Sequence, residues 1–309
     1  MKPLQVTDES VAGRRDLNED SVLSVTLSDG RQLLAVADGM GGHAAGEVAS
    51  AMALEVLQEG LEDDLSLTES CQLANTRVHA ESESDLEKKG MGTTLVVLLV
   101  TGDHYEIANI GDSRGYEITA DGIVQVTDDH SFVAEAVRRG HDEDEAMQSQ
   151  YRDALLRCIG TTAEVEVDIF GPFSADRDVA VLLCSDGLYK TLTAEDMREL
   201  FIGSDDLDAT TQTLVSAAYE AGSDDNITVL LAEWGEVPRE SDLTSGSPGS
   251  GAAATLMLDE PFAPPVDEAV AEDVSDPSEV AVHSAKWGWT AAVAVLLAVL
   301  VGVVALIVL

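Results

Sequence analysis

The sequence predicts a layered α+β domain over residues 1–235, a linker over 236–284 and a transmembrane helix over 285–309. Three observations indicate this organisation. Short strand-like runs follow one another through tight turns, as in antiparallel sheets. Runs with apolar residues at helical spacing lie between them. The last twenty residues, 290–309, are almost unbroken apolar, and a helix of about twenty residues spans roughly 30 Å, the hydrocarbon core of a bilayer.

The individual elements follow from apolar spacing and from turn residues. Asp29-Gly30 and Asp121-Gly122 each separate two strand-like runs, which indicates hairpins, and Thr193 begins a capping-box-like pattern before a helix. Strands are predicted at residues 4–7, 21–26, 32–37, 95–100, 104–110, 116–119, 123–126, 163–170, 179–184 and 227–234. Helices are predicted at residues 44–58, 68–80, 132–137, 193–201 and 207–218, and a surface loop at residues 141–150.

The C-terminal quarter of the chain predicts a tether and a membrane anchor. Residues 236–284 are rich in Ser, Gly, Pro, Ala and acids, and such a segment is expected to be disordered because it cannot bury enough apolar surface. Lys286, Trp287 and Trp289 flank the apolar run in the way expected at a membrane interface. The first five residues predict no signal peptide. We therefore expect a single-pass cell-membrane protein whose folded domain lies on the cytoplasmic side.

The charge and the cysteines exclude several classes of protein. A net charge of −41 disfavours binding to nucleic acid and to anionic lipid surfaces, and it attracts cations. This excess of acids over lysines also suggests a high-salt cytoplasm, in which repulsion is screened. Cys71, Cys158 and Cys184 form neither a disulfide framework nor a zinc-binding spacing.

Two strands that end on Asp-Gly indicate a site for a hard cation. The apolar run 33–37 ends at Asp38-Gly39, and a helical pattern follows after further glycines. The apolar run 179–184 leads to Asp186-Gly187 in the same way. One such aspartate alone is better explained as a turn or a helix cap. Two apolar strands that each bring a carboxylate to a common edge supply the oxygen ligands that hard cations prefer.

Two further acid clusters strengthen this interpretation. Residues 15–20 read Arg-Asp-Leu-Asn-Glu-Asp, which puts a cation shortly before adjacent carboxylates. Residues 222–226 read Gly-Ser-Asp-Asp-Asn, directly before the last strand. Carboxylates that gather at one place repel each other, and a bound cation removes that repulsion.

Seven stretches of the chain resemble the metal-dependent serine/threonine protein phosphatases of type 2C, in their bacterial form. In order they are RDLNED at 15–20, DGMGGHAAGEVAS at 38–50, GTT at 92–94, NIGDSR at 109–114, TDDHS at 127–131, LCSDGL at 183–188 and DNITV at 225–229. The resemblance covers residues 1–235. It implies a four-layer sandwich, in which two packed antiparallel sheets carry helices on both outer faces.

The resemblance also implies a centre that holds two ions of Mn²⁺ or Mg²⁺. Asp38 would bridge both ions, the Gly39 carbonyl would bind one, and Asp186 and Asp225 would bind the other. The remaining site residues are implied in supporting roles: Glu19 and Asp20 would hold water around the ions, Asp112 with Asp186 would bind a weaker third ion, and Arg15 would grip the phosphate.

The proton donor for the leaving oxygen is not fixed by the resemblance. Animal members of the family have a histidine directly after this Asp-Gly, where this chain has Met40. His43 is the nearby candidate general acid, with a structural role at the start of the helix and a metal-bound water as the alternatives. His130 is expected to order its own loop.

The expected function is hydrolysis of phosphoserine and phosphothreonine in proteins beside the membrane, by a hydroxide that bridges two metal ions. The expected partners are a serine/threonine kinase and its substrates, whose phosphorylation the enzyme opposes. One alternative is a catalytically inactive metal-binding module that recruits phosphoproteins. A second is a phosphatase for small phosphomonoesters, and a third is an acidic interaction domain anchored by its tail.

Overall fold

The computed structural model describes residues 2–41 and 45–239. In this part of the chain the strands are β1 Leu4–Val11, β2 Asp20–Thr26, β3 Gln32–Met40, β4 Gly92–Thr93, β5 Leu95–Thr101, β6 His104–Ile110, β7 Arg114–Thr119, β8 Gly122–Gln125, β9 Asp168–Ser174, β10 Val179–Cys184 and β11 Ile227–Trp234. The helices are α1 Ala45–Glu62, α2 Leu67–Ser84, α3 Phe132–Arg138, α4 Glu143–Met147, α5 Asp186–Tyr189, α6 Ala194–Gly203 and α7 Leu207–Ala221.

The strands form two antiparallel sheets. The first has the order β1-β11-β10-β7-β8. The second has the order β2-β3-β5-β6-β9, with β4 paired to the end of β3. The predicted hairpins at Asp29-Gly30 and Asp121-Gly122 are confirmed, because they join β2 to β3 and β7 to β8.

Alternation along the strands builds a sandwich of four layers. Leu33 and Ala35 of β3 pack against α1 and α2, whereas Leu34 and Val36 face β10 and β11 of the other sheet. This is the period-two pattern of a strand that is buried on both faces. The opposite face of the first sheet packs against α5, α6 and α7. The predicted α+β class, with two packed antiparallel sheets and helices outside them, is confirmed.

Helix α1 runs four residues beyond its predicted end at residue 58. Gly60 lies inside it, and a Cβ there would lie 2.8 Å from Oγ of Ser70 on α2. The glycine therefore lets the two helices pack closely and does not end α1. The predicted cap at Thr193 is confirmed, since its hydroxyl and the Asp196 carboxylate form a reciprocal capping box.

Two predictions about the middle of the chain are wrong. The stretch predicted to be a loop contains α4, because Asp142 accepts a hydrogen bond from Glu145 N–H and so caps a turn whose Ala146 is buried. The strand predicted at residues 163–170 lies at Asp168–Ser174. Pro172 lies within β9, which is the edge strand of its sheet, where a missing N–H is tolerated.

The packed domain continues past β11. Val237 and Arg239 are buried, although the linker was predicted to begin at residue 236. The Arg239 guanidinium donates to the Phe201 carbonyl (2.7 Å), forms an ion pair with Glu233 (3.2 Å) and lies over the Phe201 ring. The segment that follows β11 is thereby attached to α6.

We expect Arg239→Ala to lower the free energy of unfolding by about 3 kcal/mol, because it leaves the Glu233 carboxylate buried without its cation. Urea unfolding of the full chain measures this change. Arg139→Ala is the matched control: its ion pair with Glu135 is exposed on α3, and its loss is expected to cost about 0.5 kcal/mol or less. Equal destabilisation by the two variants would contradict the structural role of Arg239.

The predicted transmembrane helix at 285–309 and all but the first four residues of the predicted linker lie outside the described residues. Within residues 2–41 and 45–239, no helix combines the length and the apolar character needed to cross a bilayer.

Candidate active site

Asp38 lies where β3 leaves its sheet. The pairing of β3 with β5 ends at Val36 and its pairing with β2 at Asp38, after which Gly39 and Met40 pair with β4. Both backbone groups of Asp38 are bound by the threonines of that segment. Its N–H donates to Thr94 Oγ1 (2.9 Å), while its carbonyl accepts from Thr93 Oγ1 (2.8 Å) and from Thr94 N–H (2.9 Å). The GTT motif, for which the sequence suggested no role, therefore fixes the backbone of Asp38.

Gly39 is required by a close approach of two backbones. A Cβ at Gly39 would overlap the carbonyl oxygens of Gly46 and Glu19, and a Cβ at Gly46 would in turn overlap the Glu19 side chain. The glycine after Asp38 thus lets the start of α1 cross the end of β3.

The other predicted acids reach the same place from both sheets. Asp186 is the first residue of α5, directly after β10, and Asp225 lies just before β11. Asp112 lies in the turn between β6 and β7. Together with Asp38 and Gly39, these three residues line one open cavity of about 1220 Å³. The structure therefore brings together all five predicted metal-binding residues.

Burial and mutual repulsion raise the pKa values of three acids in this cluster. Burial raises the pKa of Asp38 well above its usual value, and the negative charges of four other aspartates, led by Asp20 and Asp186, raise it further. Burial, assisted by Asp186, raises the pKa of Asp112 to about 6. The pKa of Asp20 is also about 6, since burial outweighs its hydrogen bonds from Thr228 and Ser185.

Two carboxylate oxygens in this region lack a partner. Among the residues that the structure describes, Oδ1 of Asp20 and Oδ1 of Asp186 are buried without a hydrogen bond. The other oxygen of Asp20 accepts from Ser185 (2.8 Å) and Thr228 (2.7 Å). A buried anionic oxygen without a partner is costly, so these two atoms fit a site whose cation is supplied from solution.

The oxygen-only donor set fits a hard divalent cation such as Mg²⁺ or Mn²⁺. In the described residues, no group of three or more Asp, Glu, His or Cys side chains is arranged to hold a metal ion by itself. Carboxylates in this arrangement would therefore need further oxygen ligands, such as the Gly39 carbonyl and retained water, to complete the shell of an ion.

Glu19 and Arg15 lie beside the acids but have protein partners. Glu19 Oε1 accepts from Gly46 N–H (3.2 Å), at the start of α1, and Glu19 N–H donates to the Asn226 side chain (2.9 Å). Arg15, 53% exposed at the rim, donates to the Asp224 carbonyl and to the Asp225 carboxylate (both 2.8 Å). The role of Arg15 in gripping phosphate stays a prediction.

The two histidines of interest are placed differently. His43, the candidate general acid, lies outside the described residues. His130 is 3% exposed, and both ring nitrogens are engaged: Nδ1 accepts from Gly111 N–H (3.1 Å) and Nε2 is 3.0 Å from Asp168. Because Gly111 precedes Asp112, His130 orders the turn that carries this acid, in agreement with its predicted structural role.

Several cavity residues were missed by the sequence analysis. Arg138 of α3, together with Arg152 and Lys190, brings positive charge to the cavity wall. Arg114 lies 3.6 Å above the centre of the Tyr189 ring and pairs with Asp129 (2.7 Å). Arg114 belongs to the NIGDSR motif, but its contact with Tyr189 joins two distant segments and has no local signal.

Comparison with known proteins identifies a protein phosphatase over most of the folded domain. Residues 9–227 match the family described as protein phosphatase 2C. The serine/threonine phosphatase stp of Listeria innocua is 37% identical over 231 residues, which are 71% of this chain and 91% of that protein. The protein phosphatase PhpP of Streptococcus pneumoniae is 33% identical over 74% of this chain and 97% of its own length.

The fold is shared as well. The crystal structure of the serine/threonine phosphatase Stp1 from Staphylococcus aureus superposes with a TM-score of 0.67 at 31% identity. That comparison covers 76% of this chain and 96% of the crystallised one. The enzymes of this family are metal-dependent, in keeping with the oxygen-rich site described above. The chain belongs to the protein phosphatase 2C family and is a bacterial-type serine/threonine protein phosphatase.

Proposed function

We propose that the chain removes phosphate from phosphoserine and phosphothreonine in proteins with two bound Mn²⁺ or Mg²⁺ ions, and so opposes a serine/threonine kinase. The observation that carries this proposal is the convergence of acids from both sheets on one open cavity. The two buried oxygens without partners, on Asp20 and Asp186, give it independent support.

Each acid has a proposed role. Asp38 and the Gly39 carbonyl would hold one ion, and Asp38 with Asp186 and Asp225 the other. Bound there, such ions would acidify a water molecule and neutralise charge that develops on the phosphoryl oxygens. Asp20 and Glu19 would orient water at the edge of the site. Thr94, through its bond to Asp38 N–H, holds the carboxylate in place.

The basic residues and the size of the cavity favour a phosphorylated protein as substrate. Beside ten acids, the cavity is lined by five of the chain's 17 lysines and arginines: Arg15, Arg114, Arg138, Arg152 and Lys190. At about 1220 Å³ the cavity is larger than a small phosphomonoester needs. Val137 and Met147 line the same wall and are largely exposed, which suits the apolar side chains of a peptide.

Release of phosphate from a phosphothreonine peptide by the full chain tests the proposal. We expect turnover with Mn²⁺ or Mg²⁺ and none with excess chelator. Faster turnover of a small aryl phosphate than of the peptide at equal concentration would favour the phosphomonoesterase alternative. Binding of metal and peptide without turnover would favour the inactive recruiting module.

We also propose that residues 290–309 anchor the chain in the cell membrane, with the phosphatase domain on the cytoplasmic side. The support is their length and apolar composition. The full chain is expected to stay with membranes through an alkaline wash. Accessibility of the domain to added protease only after the cells are opened would place it inside. Release by the wash would contradict the anchor.

We expect Thr94→Val to lower kcat about 10–100-fold, because it removes the hydroxyl that accepts from Asp38 N–H while keeping the shape of the side chain. Phosphothreonine-peptide kinetics measure the loss, and circular dichroism checks the fold. Thr76→Val, which removes an exposed hydroxyl bonded within α2, is the matched control and should keep full activity. Equal kcat in the two variants would contradict the positioning role of Thr94.

A further inference from the structure

Lys190 places a positive charge inside the acidic cluster. It follows directly after α5, and its N–H donates to the Asp186 carbonyl one turn earlier (3.0 Å). That single turn brings its ammonium 2.5 Å from Asp186 Oδ2. The side chain is 49% exposed and lines the cavity along with Asp112 and Asp186. The Asp186 carboxylate therefore has one oxygen on an ammonium and the other buried without a partner.

Negative charges surround this ammonium. The carboxylates of Asp186, Asp112 and Asp153 all attract it electrostatically. The neighbouring Tyr189 ring, at the end of α5, lies beneath the Arg114 guanidinium. Lys190 in turn partly offsets the repulsion that raises the pKa of Asp112.

We propose that the Lys190 ammonium is the permanent cation of the Asp112–Asp186 corner and takes the place of the third divalent ion predicted there. The inference rests on the proposed two-ion function. An ammonium cannot ligate a metal, and it repels a divalent ion brought to the same carboxylates. It donates a hydrogen bond to Asp186 Oδ2 instead, so Asp186 keeps Oδ1 for the second of the two ions and has no free oxygen for a third.

The experiment counts the Mn²⁺ ions bound to the full chain, with free Mn²⁺ measured by its electron paramagnetic resonance signal. Lys190→Met removes the charge and keeps most of the stem, Lys190→Arg keeps the charge, and Lys190→Gln serves if the methionine variant does not fold. Lys89→Met is the matched control, because it removes the same charge from an exposed turn between α2 and β4.

We expect two ions per chain in the wild type, in Lys190→Arg and in Lys89→Met. Lys190→Met should bind a third ion at least about tenfold more tightly than the wild type does. Three ions in the wild type would overturn the proposal. Only two ions in Lys190→Met would also overturn it, and a higher KM for the peptide in that variant would make Lys190 a contact for substrate phosphate. If the wild type binds no Mn²⁺, the proposed function itself fails and this inference fails with it.

Discussion

Asp38→Asn is expected to lower kcat by at least about 10³-fold, because it removes the carboxylate on which both proposed ions depend. The same substitution should raise the Tm of the metal-free protein. Burial and four neighbouring aspartates raise the pKa of Asp38, so its negative charge destabilises the folded state when no cation is present. A loss of activity that comes with a gain in metal-free stability separates a metal ligand from a residue needed for folding.

The gain in stability should depend on pH in a defined direction. Asp20 and Asp112 have pKa values of about 6 in the folded protein, above the usual 3.8, and Asp38 is also raised. The folded state therefore binds more protons than the unfolded state between about pH 4 and pH 6, so metal-free stability falls as pH rises through that window. The advantage of Asp38→Asn should be larger at pH 7.5 than at pH 4.5, as measured by thermal unfolding in chelator.

Asp121→Asn is the matched control for this substitution. Asp121 is also followed by glycine, but it lies in the exposed hairpin between β7 and β8. Its replacement by asparagine, which suits such turns equally well, should change neither kcat nor metal-free stability. Wild-type turnover in Asp38→Asn, or a metal-free Tm below that of the wild type, would contradict the assignment of Asp38.

Removal of divalent ions should abolish activity and lower Tm in the wild type. A ligand that binds only the folded state at 100 times its Kd adds about 2.7 kcal/mol of stability. For a domain of this size that amounts to a rise in Tm on the order of 5–10 °C for each ion. Thermal unfolding with Mn²⁺ and with chelator measures the difference, and phosphate release is followed on the same samples.

The same two Tm measurements, with Mn²⁺ and with chelator, should be made on Asp186→Asn and Asp225→Asn. Each removes a ligand proposed for one ion, so each should show a smaller Mn²⁺-dependent rise in Tm than the wild type. A rise in Tm of wild-type size in both variants would place the stabilising ions elsewhere. Activity that survives chelation would contradict metal dependence in this chain.

The sequence distinguished the Asp-Gly pairs that line the cavity from those in hairpins, because their local context differs. Asp29 and Asp121 precede glycines that lead straight into another strand, and both lie in hairpins. Asp38 precedes a glycine-rich stretch that leads to α1, Asp186 begins α5, and both line the cavity. The apolar run before each aspartate also indicates a buried strand, and β3 and β10 both lie in the interior of their sheets. The class of fold and the convergence of these acids could therefore be predicted from the chain alone.

Contacts between distant segments could not be predicted in the same way. The bonds from Thr93 and Thr94 to Asp38 depend on the short strand β4, which follows α2 and pairs with the end of β3. The Lys190–Asp186 ion pair depends on the one turn of α5, a helix too short to show periodicity. The carboxylates can be found from the sequence pattern because they follow apolar strands. The side chains that bind them come from other segments and depend on tertiary packing.

Diffraction from crystals of the full chain grown with Mn²⁺, with data collected on both sides of the manganese absorption edge, tests the central claim most directly. We predict two separate manganese peaks within coordination distance of the Asp38 carboxylate, one next to the Gly39 carbonyl and the other next to Asp186 and Asp225. Manganese peaks only elsewhere, with Asp38 contacted by protein and water alone, would contradict the account.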